Sequence, residues 1–286
     1  MIYFATLLGY GDNLISLSLL EHAGQAAKEI RVVGTGVTQA VADAMRFPLL
    51  LTKRMFDDTA AFYVVRERGT MAALRDLMIF RRWVRQQLET IDTLIFEKED
   101  ARTRWLMHTR GCRVIGVPRA QGAYIDRERV LRPFIGAQGW PSCAMPRAVA
   151  RRMLINPSAR AQRRMLPLGV VERALQVAAT VGTAVSLIDI DGRYEALRCR
   201  VHTYLRSPPL MEAVAAIREA DCYLGPDSFF MHLAYYFNIP FLAFFWPTDM
   251  YFAPPGMLEQ GNYAFYSEVG DDDRFTGKLH RLLLPE

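Results

Sequence analysis

Continuous apolar runs alternate with amphipathic stretches along most of the chain. Residues 2–8 are apolar with no helical period, the pattern of a strand buried on both faces. The run ends in Gly9-Tyr10-Gly11-Asp12, and from Asn13 the apolar positions Leu14, Ile15, Leu17, Leu19 and Leu20 predict a helix packed on a sheet. Residues 30–33 predict a second strand, Gly34-Thr35-Gly36 a turn and 37–45 a helix. A third strand reads at 61–65, with the region between unassigned. An Arg-rich amphipathic helix over 74–88 leads through Thr90 into a buried strand at 92–96. A helix near 101–108 and a short strand near 113–117 complete a β/α half, and such alternation implies a parallel sheet covered by helices. From 118 to 146 glycines, prolines and charges dominate and periodicity fades. The domain junction is placed late in that segment, giving domains 1–146 and 147–286.

The second half alternates again. It reads as a strand at 153–156, a loop to Arg164, a helix after Pro167, a strand at 184–190, an extended piece at 197–204 and a helix over about 209–219. The last clear strand is 239–245, and a final helix over 272–284 is expected to pack back across the domains. The organising stretch is 220–234. Tyr223 and Leu224 carry the apolar end of a strand, Gly225-Pro226 breaks it, and Asp227 and Ser228 are residue types that cap a helix. Amides at a helix start carry partial positive charge, so the mouth of this turn suits a phosphate. His232 follows one turn in. The fold class is α/β, with two Rossmann-like domains facing a central cleft and ligands at the carboxyl ends of the strands.

Composition adds bounds. In 286 residues, a hydrophobic fraction of 51% is enough for a core in each of two domains. A formal charge of +5, carried mostly by Arg, suits an anionic ligand or an anionic membrane face. It is too small, without a recognised motif, to point to nucleic acid. Cys112, Cys143, Cys199 and Cys222 have no paired CxxC spacing and read as reduced, mostly buried thiols of a cytoplasmic protein, with no zinc site suggested. No basic segment precedes the apolar start, so no signal peptide is expected. The run at 239–246 is too short to span a bilayer.

Three stretches together resemble glycosyltransferase family 9, the heptosyltransferases of lipopolysaccharide assembly. They are Leu7-Leu8-Gly9-Tyr10-Gly11-Asp12-Asn13-Leu14; Ile155-Asn156-Pro157-Ser158 through Arg164-Met165-Leu166-Pro167; and Ala220-Asp221 through Asp227-Ser228, His232-Leu233-Ala234, Ile239-Pro240 and Pro247-Thr248. The resemblance spans nearly the whole chain and implies the GT-B fold. It also implies inverting, metal-independent transfer of a heptose or related sugar from a nucleotide-diphosphate donor to a hydroxyl of a lipopolysaccharide or other glycan acceptor. ADP-heptose or another sugar nucleotide is the implied donor, a glycan or glycolipid the acceptor, with no further cofactor.

By the same resemblance Asp12 is the general base, flanked by Gly11 and Asn13 on the acceptor-side loop. Ser158, Arg164, Asp227, Ser228, Phe229 and His232 line the donor phosphates, where a fixed Arg neutralises the leaving group. Each has a plainer reading: Asp12, Asp227 and Ser228 as helix caps, His232 as a core histidine, and Arg164 as one of three solvated arginines with Arg160 and Arg163. Asp189 and Asp191, at the end of a strand in the second half, read either as contacts to a ribose or base or, more plainly, as the end of that strand. The Arg-rich helix, with Arg75, Arg81, Arg82 and Arg85, reads as a solvated face or as a contact with an anionic membrane carrying the acceptor, at the inner membrane face. Phe229 and Trp246 stand where the family usually has Gly. They favour a rival reading, a family-derived binding or scaffold protein without turnover; a second rival is an acceptor-independent sugar-nucleotide epimerase or hydrolase of the same fold.

Overall fold

A computed structural model describes residues 1–47, 51–54, 69–86, 91–97, 112–268 and 272–284. The expected strand at 61–65 and helix near 101–108 lie outside the described residues. The chain divides into two compact units, Met1–Gly139 and Trp140–Glu286.

The first unit holds β1 (Ile2–Thr6), β2 (Ile30–Gly34), β3 (Leu51–Arg54), β4 (Thr93–Phe96) and β5 (Arg113–Gly116), all parallel, in the order β3-β2-β1-β4-β5. Its helices are α1 (Tyr10–Ala23), α2 (Gly36–Met45), α3 (Thr70–Gln86) and α4 (Ala123–Ile135). The continuous apolar run of β1 is explained by its central place, with neighbours on both edges and helices on its faces. One face of α3, with Leu77, Phe80, Trp83 and Val84, packs on Tyr3, Leu94 and Phe96. Its opposite face exposes Met71, Leu74, Met78 and Ile79 beside the exposed Arg75, Arg82 and Arg85.

Two differences from the sequence reading matter for the site. First, α1 begins at Tyr10 rather than Asn13, because the Asn13 amide bonds back to the Gly9 carbonyl at 3.0 Å and the Asn13 side chain donates to the Leu8 and Gly9 carbonyls. Asp12 is therefore inside the first turn and is not the cap. Second, the segment without periodicity contains α4. Its buried face carries Asp126, Arg127 and Glu128 among Tyr124, Leu131 and Ile135, so a hydrophobic pattern cannot reveal it.

The second unit holds β6 (Arg152–Ile155), β7 (Ala184–Asp189), β8 (Thr203–Arg206), β9 (Cys222–Pro226), β10 (Phe241–Phe245) and β11 (Tyr263–Phe265), again all parallel, in the order β11-β10-β9-β6-β7-β8. Helices α5 (Leu168–Val181), α6 (Leu210–Arg218), α7 (Phe229–Tyr236) and α8 (Asp272–Leu283) accompany it. The extended piece expected at 197–204 is a 3-10 turn, Glu195–Arg200, followed by β8. Gly225 and Pro226 do not break β9 but belong to it, paired with Ala243 and Phe244. Phe275, Leu279, Leu282 and Leu283 of α8 are buried in this unit's core with Val170, Val171 and Phe244.

In each sheet the order reverses beside the first strand: β1 meets β4 in the first unit, and β6 meets β9 in the second. In open α/β sheets the carboxyl ends of the strands at such a reversal leave a crevice between diverging helices, where ligands bind.

Candidate active site

The reversal in the first unit gathers a polar cluster. Beyond β1 lies the first turn of α1 with Asp12, and beyond β4 lies Glu97. Arg127 reaches in from α4, only 2% exposed. Its guanidinium donates to Asp12 Oδ1 at 2.6 Å, to Ser16 Oγ at 3.1 Å and to the Ala123 carbonyl at 2.9 Å. Asp12 is 23% exposed, and its Oδ2 has no hydrogen-bond partner among the described residues. Glu97 Oε2 accepts the amides of Leu7 and Leu8, and Oε1 meets the hydroxyls of Thr6 and Ser16. Burial raises the Glu97 carboxyl above its ordinary pKa, the Arg127 charge opposes this, and the Asp12 charge adds to it. Gly11 and Asn13 flank Asp12 as expected in sequence, but Asn13 is fully buried and holds the turn together.

The reversal in the second unit brings together Ser158, Arg164, Asp227, Ser228, Phe229 and His232, which follow β6 and β9. Ser228 is the N-cap of α7, with extended backbone and no side-chain capping bond, and its Oγ lies 3.5 Å from the Tyr223 hydroxyl. Phe229 is the first helical residue, half-buried and edge-on to Phe230. His232 is buried one turn further. Ser158 donates to Asp191 at 3.3 Å. Gly225 is required where β9 passes β6, because a Cβ there would fall 2.0 Å from the buried Tyr223 hydroxyl and 2.7 Å from the Asn156 carbonyl.

The structure identifies the inward arginine that spacing could not. Arg164 is 26% exposed and Arg163 is 55%. Arg164 bonds Asp227 at 2.9 Å and lies 3.1 Å from Asp249, and Arg163 reaches the other oxygen of Asp249 at 3.0 Å. The contact with Asp249 is one of charge only, since Arg164 Nε and Asp249 Oδ2 make no hydrogen bond. Two cations thus face two carboxylates.

Trp246 does not fill this space idly. Its indole donates to the Arg163 carbonyl at 2.8 Å and stacks on Tyr266, centroids 5.1 Å apart, while the Tyr266 hydroxyl donates to the Arg164 carbonyl. The ring braces the arginine loop. Asp189 accepts the Gly192 and Tyr194 amides and the Tyr204 hydroxyl, which makes it the end of its strand, as the plainer reading has it.

Sequence reasoning missed Arg127, Glu97 and Asp249. A carboxylate directly after the 92–96 strand was the available signal for Glu97; none marked the other two. Among the described residues, no three His, Cys, Asp or Glu side chains are grouped to hold a metal ion, and no helix is long and apolar enough to cross a membrane.

No protein-family model matches the sequence, and no curated protein does. Solved structures do match. The Escherichia coli heptosyltransferase WaaC with ADP is similar at a TM-score of 0.62 and 14% identity, over 92% of each chain. A glycosyl transferase family 9 protein of Veillonella parvula gives 0.61 and 14%, over 96% of this chain and 88% of its own. The Escherichia coli ADP-heptose lps heptosyltransferase II gives 0.61 and 13%, over 99% and 98%. The expected α/β class and GT-B fold are borne out by these likenesses.

Proposed function

We propose that this chain is an inverting glycosyltransferase whose second unit binds a nucleoside-diphosphate sugar and whose first unit presents Asp12 to an acceptor hydroxyl. The observation that carries the reading is Asp12 itself. It stands at the carboxyl edge of the first sheet, one oxygen held by a buried arginine and the other without a hydrogen-bond partner among the described residues. Its Oδ2 takes the proton of the acceptor hydroxyl as the acceptor oxygen attacks the anomeric carbon. The bond from the anomeric carbon to the diphosphate oxygen breaks, and the electron pair leaves with the nucleoside diphosphate. Ser228, His232 and the first amides of α7 hold the departing phosphates, and Arg164 supplies charge. Structural likeness to a heptosyltransferase with ADP supports an ADP-sugar, heptose included, as the first donor to try, and a glycolipid of the lipopolysaccharide type as acceptor. The exposed apolar and arginine stripe of α3 fits a peripheral contact with an anionic membrane carrying such an acceptor.

The test is calorimetric titration with ADP, GDP, UDP and dTDP and their common sugars, followed by a transfer assay with the donor that binds. Binding that Ser228→Ala and His232→Ala weaken, with transfer lost in Asp12→Asn but donor binding intact, is the expected result. Transfer at wild-type rate in Asp12→Asn overturns the assignment of the base.

One observation favours a second reading, a binding protein of the same fold without turnover. The charge of Arg164 is already balanced by Asp227 and Asp249, so it offers an incoming diphosphate little net attraction. Nucleotide binding without sugar release, under every acceptor tried, would mark that case. Donor conversion without an acceptor would instead mark an epimerase or hydrolase.

A further inference from the structure

Three oxygens stand in line in the first unit. The Thr6 hydroxyl lies 2.9 Å from Asn13 Oδ1 and 2.5 Å from Glu97 Oε1. Both are hydrogen-bond distances, but a hydroxyl has one hydrogen to give. Asn13 cannot supply the other. Its Nδ2 faces the Leu8 and Gly9 carbonyls, each at 3.0 Å, and turning the amide over would set its oxygen against those two carbonyls. Ser16 cannot supply it either, because its oxygen accepts Arg127 Nε and its hydrogen points to Glu97. The row is one hydrogen short unless Glu97 carries it.

We propose that Glu97 is a positioning residue held as the neutral carboxylic acid at neutral pH, donating through Thr6 to Asn13 and clamping the turn that presents Asp12. Oε1–H donates to Thr6 Oγ1, and the Thr6 hydrogen passes to Asn13 Oδ1. Oε2, the carbonyl oxygen of the acid, accepts the amides of Leu7 and Leu8 at 2.9 and 3.2 Å. Every polar atom of Glu97, Thr6 and Asn13 named here then has a partner, as burial requires. A neutral Glu97 also leaves the Arg127 charge to Asp12. Among the described residues, Asp12 on α1 and Arg127 on α4 are the charged groups that bear on Glu97. Burial favours the neutral form and outweighs the arginine.

The protonation state stands on this geometry alone, whereas its meaning for catalysis rests on the role proposed above for Asp12.

The state has a signature in stability. An acid whose folded pKa is raised binds more protons folded than unfolded, so it destabilises the fold as pH rises from the unfolded pKa, about 4.5, towards the folded one. Glu97→Gln removes that proton linkage while keeping an acceptor for the two amides and a donor for Thr6. The unfolding constant of the wild type relative to Glu97→Gln should therefore grow with pH by up to about tenfold per unit above 4.5. It should level off once Glu97 ionises in the folded protein. A ratio independent of pH, or one falling with it, overturns the proposal, because an ionised and merely structural Glu97 gives no such slope.

Infrared difference spectra of wild type against Glu97→Gln at neutral pH provide the second arm. The carbonyl stretch of a protonated carboxyl should be present in the wild type and missing from the variant. Should Glu97→Gln fail to fold, the wild-type spectrum decides alone: without a protonated-carboxyl band at neutral pH the proposal fails. Neither arm uses transfer activity, so failure of Asp12 as the base leaves both readouts standing.

Discussion

The Arg127–Asp12 pair joins two helices of the first unit across 115 residues of sequence, and its coupling can be worked out from the geometry. Replacing Arg127 by Met keeps much of the buried stem and removes the hydrogen bonds to Asp12, Ser16 and the Ala123 carbonyl. Breaking a buried ion pair from one side costs about 3–5 kcal/mol, and the 23% exposure of Asp12, which lets water reach the orphaned carboxylate, points to about 3. For a unit of this size that is a fall in melting temperature of about 10 °C. Asp12→Asn retains an oxygen for Arg127 and should cost about 1 kcal/mol. The double variant should cost about 2 kcal/mol less than the two single effects added together, because neither group is left with an unpaired partner. The assay is urea unfolding followed by circular dichroism, with the transition of the first unit fitted separately, since two units need not melt together. If the single effects add to within about 0.5 kcal/mol, the pair is not coupled and Arg127 does not hold Asp12.

Two further predictions concern the second unit and the surface. Asp249→Asn should tighten binding of a nucleoside diphosphate about tenfold by removing a carboxylate that competes for Arg164, and Arg164→Ala should abolish that gain; a titration in which Asp249→Asn weakens binding would show that Asp249 orients the arginine instead. Arg82→Ala with Arg85→Ala should lower sedimentation onto anionic vesicles about thirtyfold, at about 1 kcal/mol per arginine near the surface, without changing the melt of the first unit; equal binding to neutral and anionic vesicles would place the membrane contact elsewhere.

The strands β1, β2 and β4, most of the second unit's alternation and the helix start at 227–232 were legible in the sequence because each is a local pattern, whereas β3 fell in the stretch left unassigned and α1 starts at Tyr10, inside the expected turn. Strand period, helix period and turn residues are read within a dozen positions. Asp12, Ser228 and His232 stand at ends of such elements, and an ordinary strand-to-helix reading reaches them. What the sequence could not show is what faces these residues. Glu97 lies 91 positions from Thr6, and Arg127 lies 111 from Ser16, brought in by a helix whose buried charges erase its own hydrophobic period. Asp249 meets Arg163 across 86 positions because β10 ends beside β9. The strand order, which has no local signature, sets β1 beside β4 and β6 beside β9. The chain by itself thus determined most of the described strands and helices, α4 and β3 excepted, and several of the side chains at their ends. The tertiary structure alone decided which charges those side chains meet, since burial and partner both depend on contacts between segments far apart in the sequence.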